Sequence, residues 1–394
     1  HLSIRRQRQM CIRDRPIVYA TVGVEGTSIG SITNQAGEFR LHLADSLRRK
    51  SLVFSHVGYV AQKIDIPLLT AGQHFTLTLE PRIFPLQEVV IRVVHPIRLM
   101  REMLEKRMIN YSQKPVYFTT FYREGVQYKQ KFRSLTEAVF KIYKSPVQSL
   151  YAREQVKLLK MSRITDGLEQ DTLIARMSGG IDACLQLDII NHLPDFLLAD
   201  AHKDVYAYTS ADVTIVGDHL VNVISFEQKK EVKEPLYCGE LYIDSDNGAL
   251  LQAQIRIHPR YMKQATDMVV QRQARRMKIV LQELTYTISY KPWNGTYYIN
   301  HVRGDLHFKV KQKRQWLGSS SLHTWFEMVT CKIDTVGVTR FQRNERIPTR
   351  TVFADTHFKY DSDFWENFNV IPWEKQLVEV IEQLTSKIEK IEYE

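Results

Sequence analysis

Apolar and polar residues alternate with a period of two along most of this chain, the spacing that puts successive side chains on opposite faces of a strand. Between 16 and 92 the runs are short. Residues 17–24, 28–33, 39–43, 51–55, 57–59, 61–66 and 75–79 read as strands, with turn residues at Glu25-Gly26-Thr27 and Asn34-Gln35-Ala36-Gly37. Seven short strands with such punctuation predict a β-sandwich of the transthyretin or Ig type. Its first strand would lie before Pro16, where the pattern is lost, so the sandwich is expected to lack that strand. Beyond 113 the runs lengthen: 116–127, 132–143, 155–164, 205–216, 219–228, 237–244, 250–258, 277–291, 296–310 and 322–334. Several are joined by hairpin signals, among them Gly217-Asp218, Asp246-Asn247-Gly248 and Asn294-Gly295. They predict one large, curved, half-barrel-like antiparallel sheet. The fold class is therefore mainly β, with a few helices.

Three segments change to helical spacing. Residues 95–110 place Ile97, Met100, Leu104 and Met108 on one stripe behind Pro96, which marks a helix start. This helix, in a linker spanning 93–112, is expected to bridge the two domains. Ile181, Cys184, Leu185, Ile189 and Leu193 predict a helix over 180–198, and the amphipathic end predicts another over 374–391.

The string PIVYATVGVEGTSIGSITNQAGEFRL, followed by LVFSHVGYVAQKIDI and FTLTLEPRIFPLQEVVI, resembles the carboxypeptidase-regulatory-like domain of Bacteroidetes envelope proteins. The residues that carry the likeness include Ala20, Thr21, Val22, Gly26, Gly37, Phe39, Phe54, Gly58, Tyr59, Glu88 and Val89. It covers 16–91, implies an accessory sandwich with no peptidase site, and implies a second domain after it. FTTFYRE and SLTEAVFKIYKSP resemble the segment that follows this module in Bacteroidetes proteins of unknown function. LYCGELYIDSDNGALLQAQIRI resembles a strand pair of periplasmic lipoprotein-carrier-like half-barrels, over about 25 residues, and bears on architecture.

Charge alters this picture little. The net charge is +10, but residues 1–15 hold five Arg against one Asp. That stretch has no period and no apolar segment, and is read as a non-native leader standing where an export signal would otherwise be. The densest basic run elsewhere, Lys309, Lys311, Lys313 and Arg314, fits the solvated face of a strand, so no nucleic-acid binding is expected. No run reaches the roughly 20 apolar residues of a membrane-spanning helix.

The search for chemistry yields turns and scaffold. Cys11, Cys184, Cys238 and Cys331 are far apart, without zinc spacing. Asp244 and Asp246, like Asp361 and Asp363, read as turn formers, and Ile255 stands where a calcium loop needs glutamate. The histidines do not cluster in sequence; His301 and His307 fall about 20 Å apart on one strand, too far to share a metal. Phosphate loops are missing from the sequence, and Ser178-Gly179-Gly180 is read as a helix cap. No catalytic residue, cofactor or metal is therefore expected. Clustered aromatics define the candidate ligand groove: Phe121, Tyr122, Trp316, Trp325 and Trp365.

These features imply a non-enzymatic binding or assembly protein of the cell envelope, periplasmic or associated with the outer membrane. The sandwich would serve as docking or spacer module. The large sheet would bind a lipid-like or glycan ligand, or an envelope partner. The alternative is a hydrolase of surface glycans with an unrecognised acidic site. A transporter barrel fits poorly, because the chain ends in a charged helical pattern rather than an aromatic-girdled strand.

Overall fold

A computed structural model describes residues 11–12, 15–69, 75–82, 95–147, 154–165, 175–177, 180–216, 219–273, 277–312, 318–349, 368 and 371–373. β1 (Cys11–Ile12) and β2 (Arg15–Pro16) form a short antiparallel pair. A four-stranded antiparallel sheet follows, built from β3 (Thr21–Val24), β4 (Gly30–Ile32), β5 (Ser51–Ser55) and β6 (Gln62–Asp65) in the order β4-β3-β5-β6. Alternation turns Val22, Val24, Leu52 and Phe54 onto one face, where Phe39, Leu41, Leu43 and Leu79 complete the core. The rings of Phe39, Phe54 and Phe75 meet edge to face at 5.5–6.3 Å. The seven expected strands thus reduce to four in a ladder: 39–43 supplies core side chains from outside the sheet. Gly37 adopts φ 73° in a turn where Asn34 Oδ1 accepts the amides of Ala36 and Glu38, which only glycine does at little cost.

α1 (Pro96–Asn110) begins at proline and buries Leu99, Met100 and Met103. All three belong to the core of the large sheet, so the helix expected to bridge the domains packs as part of that sheet's cover. The sheet itself comprises β7 (Val116–Tyr128), β8 (Lys131–Lys144), β9 (Gln155–Thr165), β11 (Tyr206–Val216), β12 (His219–Gln228), β13 (Tyr237–Asp244), β14 (Leu250–Ile257), β16 (Met277–Trp293), β17 (Thr296–Gln312) and β18 (Ser320–Asp334). β10 (Ala175–Met177) and β15 (Val270–Gln273) pair separately, beside α2 (Gly180–Gln186) and α3 (Thr266–Val269). The ten strands run antiparallel in the order β11-β12-β13-β14-β16-β17-β18-β7-β8-β9, the last strand in sequence pairing with the sheet's first. Tight turns follow the sequence: Asn294-Gly295 both take positive φ between β16 and β17, as do Lys129-Gln130 between β7 and β8.

The helix expected over 180–198 ends at Gln186 and gives way to turns and a short 3-10 helix at Asp195–Leu197. Ile189, Ile190, Phe196 and Leu197 are nevertheless buried. The reason lies at Asp188, whose carboxylate is drawn to Lys144 Nζ at 2.7 Å and to the Tyr290 hydroxyl at 3.0 Å. The segment bends to make those bonds. The expected 374–391 helix lies outside the described residues.

Candidate functional site

The two faces of the large sheet differ in what covers them. On β7, Val116, Phe118 and Tyr122 face α1, α2 and the 187–199 segment, within one extensive apolar core. The neighbouring odd positions face the other way. Phe121 packs there with Ile32 of the small sheet and with Val139, Val329, Cys331 and Ile371. Phe121 and Tyr122, adjacent in sequence and both 0% exposed, therefore sit on opposite faces and line no common groove. Trp325 lies on the Phe121 side, packed with Leu135 and Trp373. Trp316 and Trp365 lie outside the described residues.

What the outer face does assemble is charge. Strand alternation places His301, Arg303, Asp305 and His307 of β17 in a row, opposite Glu327 and His323 of β18. Arg303 Nε and Nη2 reach Asp305 at 2.7 and 2.9 Å, and its Nη1 lies 3.7 Å from Glu327. Glu327 is also 2.9 Å from His301 Nε2. His323 reaches Asp305 at 3.3 Å and stacks on His307 with ring centroids 4.0 Å apart. Histidines that do not cluster in sequence thus pair across strands. One strand further on, Arg123 is bonded to Glu137, whose carboxylate also accepts the Trp373 indole N–H at 2.7 Å. Arg123 donates as well to the carbonyl of Ile371.

The small sheet closes over this row. Tyr19 lays its ring 4.9 Å from that of His301 and 5.4 Å from the Arg303 guanidinium. Asn300 Nδ2 donates to Thr21 Oγ1 at 3.1 Å, and Ser28 Oγ donates to the Ile333 carbonyl at 3.0 Å. Lys291 Nζ donates to the carbonyls of Ser28 and Thr330. The Gly58 amide adds a backbone bond to Ile215.

Burial and pairing shift these groups strongly. Burial by itself raises the Asp305 carboxyl, but the His323 hydrogen bond and the Arg303 charge outweigh it and hold the group down at about 2. Burial also opposes the charge on Arg303, yet Glu327, Tyr19 and Asp305 together push its proton affinity up. Burial pulls the Lys291 ammonium down to about 8 and pushes the Cys331 thiol up to about 11. Cys331 is thus a packed thiol rather than a nucleophile.

Sequence reading misses this cluster because its members come from β17, β18, β7, β8 and the small sheet. The row His301-x-Arg303-x-Asp305-x-His307 is visible as an alternation, but such a row reads as a solvated strand face. A third grouping lies where β12 begins and β13 ends. His219 Nδ1 is 2.7 Å from Asp244 Oδ2, and ligand atoms of His219, Asp244 and Asp246 all lie within 4.8 Å of one another.

The architecture defines a class: a small β module built onto a large antiparallel sheet. Residues 12–91 match the model of the CarboxypepD_reg-like domain, so the chain carries that module followed by a larger β domain. The match begins inside the stretch expected to be leader. No curated protein matches the chain in sequence. Among solved structures, the chain is similar to a domain assigned to outer-membrane lipoprotein sorting from Vibrio parahaemolyticus (10% identity, 62% of this chain and 95% of that one, TM-score 0.26). It is similar also to a DUF1329 family protein from Desulfovibrio piger (11%, 62% and 96%, 0.27). A LolA superfamily protein from Nitrosomonas europaea gives 9%, 62% and 96%, with TM-score 0.23.

Proposed function

We propose that this protein is a non-enzymatic binding or assembly protein of the cell envelope, in which module and large sheet act as one rigid scaffold for an envelope partner. The observation that carries the reading is that the chain covers one face of its large sheet and part of the other. α1, α2 and the 187–199 segment fill one face with apolar side chains. The module and residues 371–373 cover part of the other, whose charges pair with one another beneath them. The apolar side chains of the inner face pack on one another, which favours recognition at the surface over a buried lipid-like guest. The buried acids of the outer row are each held by a cation or imidazole, which suits scaffold better than proton transfer. The envelope setting comes from the resemblance of the module to those of Bacteroidetes envelope proteins, and periplasmic or outer-membrane association would follow from it. Among the described residues, no helix is long and apolar enough to cross a membrane.

The test is native mass spectrometry of the protein recovered from the envelope fraction after mild in-cell cross-linking. The reading expects a discrete complex with an envelope protein and no stoichiometric lipid. A lipid released in one-to-one amount on denaturation would replace it with a carrier role. Turnover of envelope glycans by the purified chain would replace it with the hydrolase.

A further inference from the structure

Asp244 closes β13 and opens the turn to β14, and its side chain is 0% exposed. Its Oδ1 accepts the backbone amides of Asp246 at 2.8 Å and Asn247 at 3.3 Å, which fixes the carboxylate plane. The other oxygen, Oδ2, points to His219 Nδ1 at 2.7 Å, with the Tyr297 hydroxyl at 3.5 Å. The partners of this buried carboxylate are backbone amides, a phenol and an imidazole. Among the described residues, no ammonium or guanidinium is paired with it, a costly arrangement for a buried carboxylate. The exposed Asp246 stands beside it and adds a second negative charge.

We propose that His219, Asp244 and Asp246 form a binding site for one divalent first-row transition-metal ion, zinc above all. One imidazole nitrogen and two carboxylate oxygens are a zinc donor set, with a water completing four-coordination. The imidazole argues against calcium or magnesium, which take oxygen donors. Bonds of about 2.0–2.2 Å to a common ion put tetrahedral ligand atoms about 3.3–3.6 Å apart, and the three ligand atoms, within 4.8 Å of one another, reach that spacing by modest side-chain rotation. The 2.7 Å contact of His219 with Asp244 is shorter than that and can relax, because the His219 side chain is 42% exposed. Support around the ligands is in place. The two amides hold Asp244, Ser245 N donates to the Leu220 carbonyl, and Asn222 Nδ2 donates to Ser245 Oγ, which pins the turn that carries Asp246. Outer partners of this kind orient metal ligands. In the sequence the Asp-Ser-Asp-Asn-Gly turn lacks a nitrogen donor; strand pairing of β12 with β13 supplies one.

The untagged full chain, stripped with chelator, is titrated with Zn²⁺ by calorimetry and with Co²⁺ by visible absorption. One equivalent of each is expected to bind. His219→Ala and Asp246→Asn should each weaken binding by about tenfold or more, since losing an outer-shell partner alone costs that much. His219→Gln, which can keep a hydrogen bond to Asp244, should fold normally and still lose the ion. Failure to bind one equivalent overturns the proposal. So does binding that survives undiminished in folded His219→Gln/Asp246→Asn protein.

Discussion

Arg303 is 3% exposed between two sheets, where a guanidinium cannot shed its charge. Its position is tolerable because Glu327 and Asp305 share its N–H groups, while Tyr19 and Trp325 lie against its faces at 5.4 and 4.9 Å. Such a group adds little net stability when paired, but becomes expensive once a partner is removed. We expect Glu327→Gln to lower unfolding free energy by about 3 kcal/mol in urea titrations near neutral pH, because it leaves Arg303 short of a counter-charge. The loss should depend on pH in a defined sense. Burial tends to raise the Glu327 carboxyl, but the His301 hydrogen bond and the charges of Arg303, His301 and Arg123 pull it below the ordinary range. A depressed carboxylate contributes stability above its unfolded value of about 4.3 and loses it as pH falls through the folded value. The difference between wild type and Glu327→Gln should therefore be full at neutral pH and shrink below about pH 4. A gap that stays constant down to acid pH would show that the carboxylate is not what matters at this position.

At the scale of strands, three of the aromatics read from sequence as a groove, Phe121, Tyr122 and Trp325, are packed in the cores. Gly304 stands opposite Phe326 in the β17–β18 ladder, and Gly125 stands opposite Trp325 in the β18–β7 ladder. In each pair the ring lies over its cross-strand glycine. A methyl group on Gly304 would come within 2.4 Å of the Phe326 ring, and one on Gly125 within 2.6 Å of Trp325. Gly304→Ala and Gly125→Ala should each cost about 1–3 kcal/mol, read as lower urea midpoints with unchanged slope. Unchanged midpoints would mean that the rings are not confined by the ladder. The hairpins, by contrast, were legible residue by residue, because Asn294-Gly295 demands the positive φ that it shows. The helix over 180–198 was only half legible. The apolar spacing marked burial correctly, but nothing local disclosed that Lys144, a strand away, would draw Asp188 out of helical register. Likewise Phe121 and Tyr122 are visibly alternating in sequence, yet alternation alone does not say that both faces of β7 are covered.

For the molecule as a whole, the module read from sequence as a docking or spacer unit packs directly on the large sheet. Ile32 of β4 is 0% exposed and packs on Phe121, Val139 and Val329, while Tyr19, Thr21 and Ser28 make the polar half of the same seam. The family resemblance located the module, but no resemblance could show which face of the second domain it would cover, because that depends on contacts between residues some 300 positions apart. Module and large sheet are therefore expected to unfold as one unit. Differential scanning calorimetry of the full chain and of Ile32→Ala tests it most directly. One endotherm is expected in wild type, and the whole of it should move to lower temperature in the variant, whose seam loses about 2–5 kcal/mol. Two separate endotherms, with only the smaller shifting in Ile32→Ala, would contradict the claim.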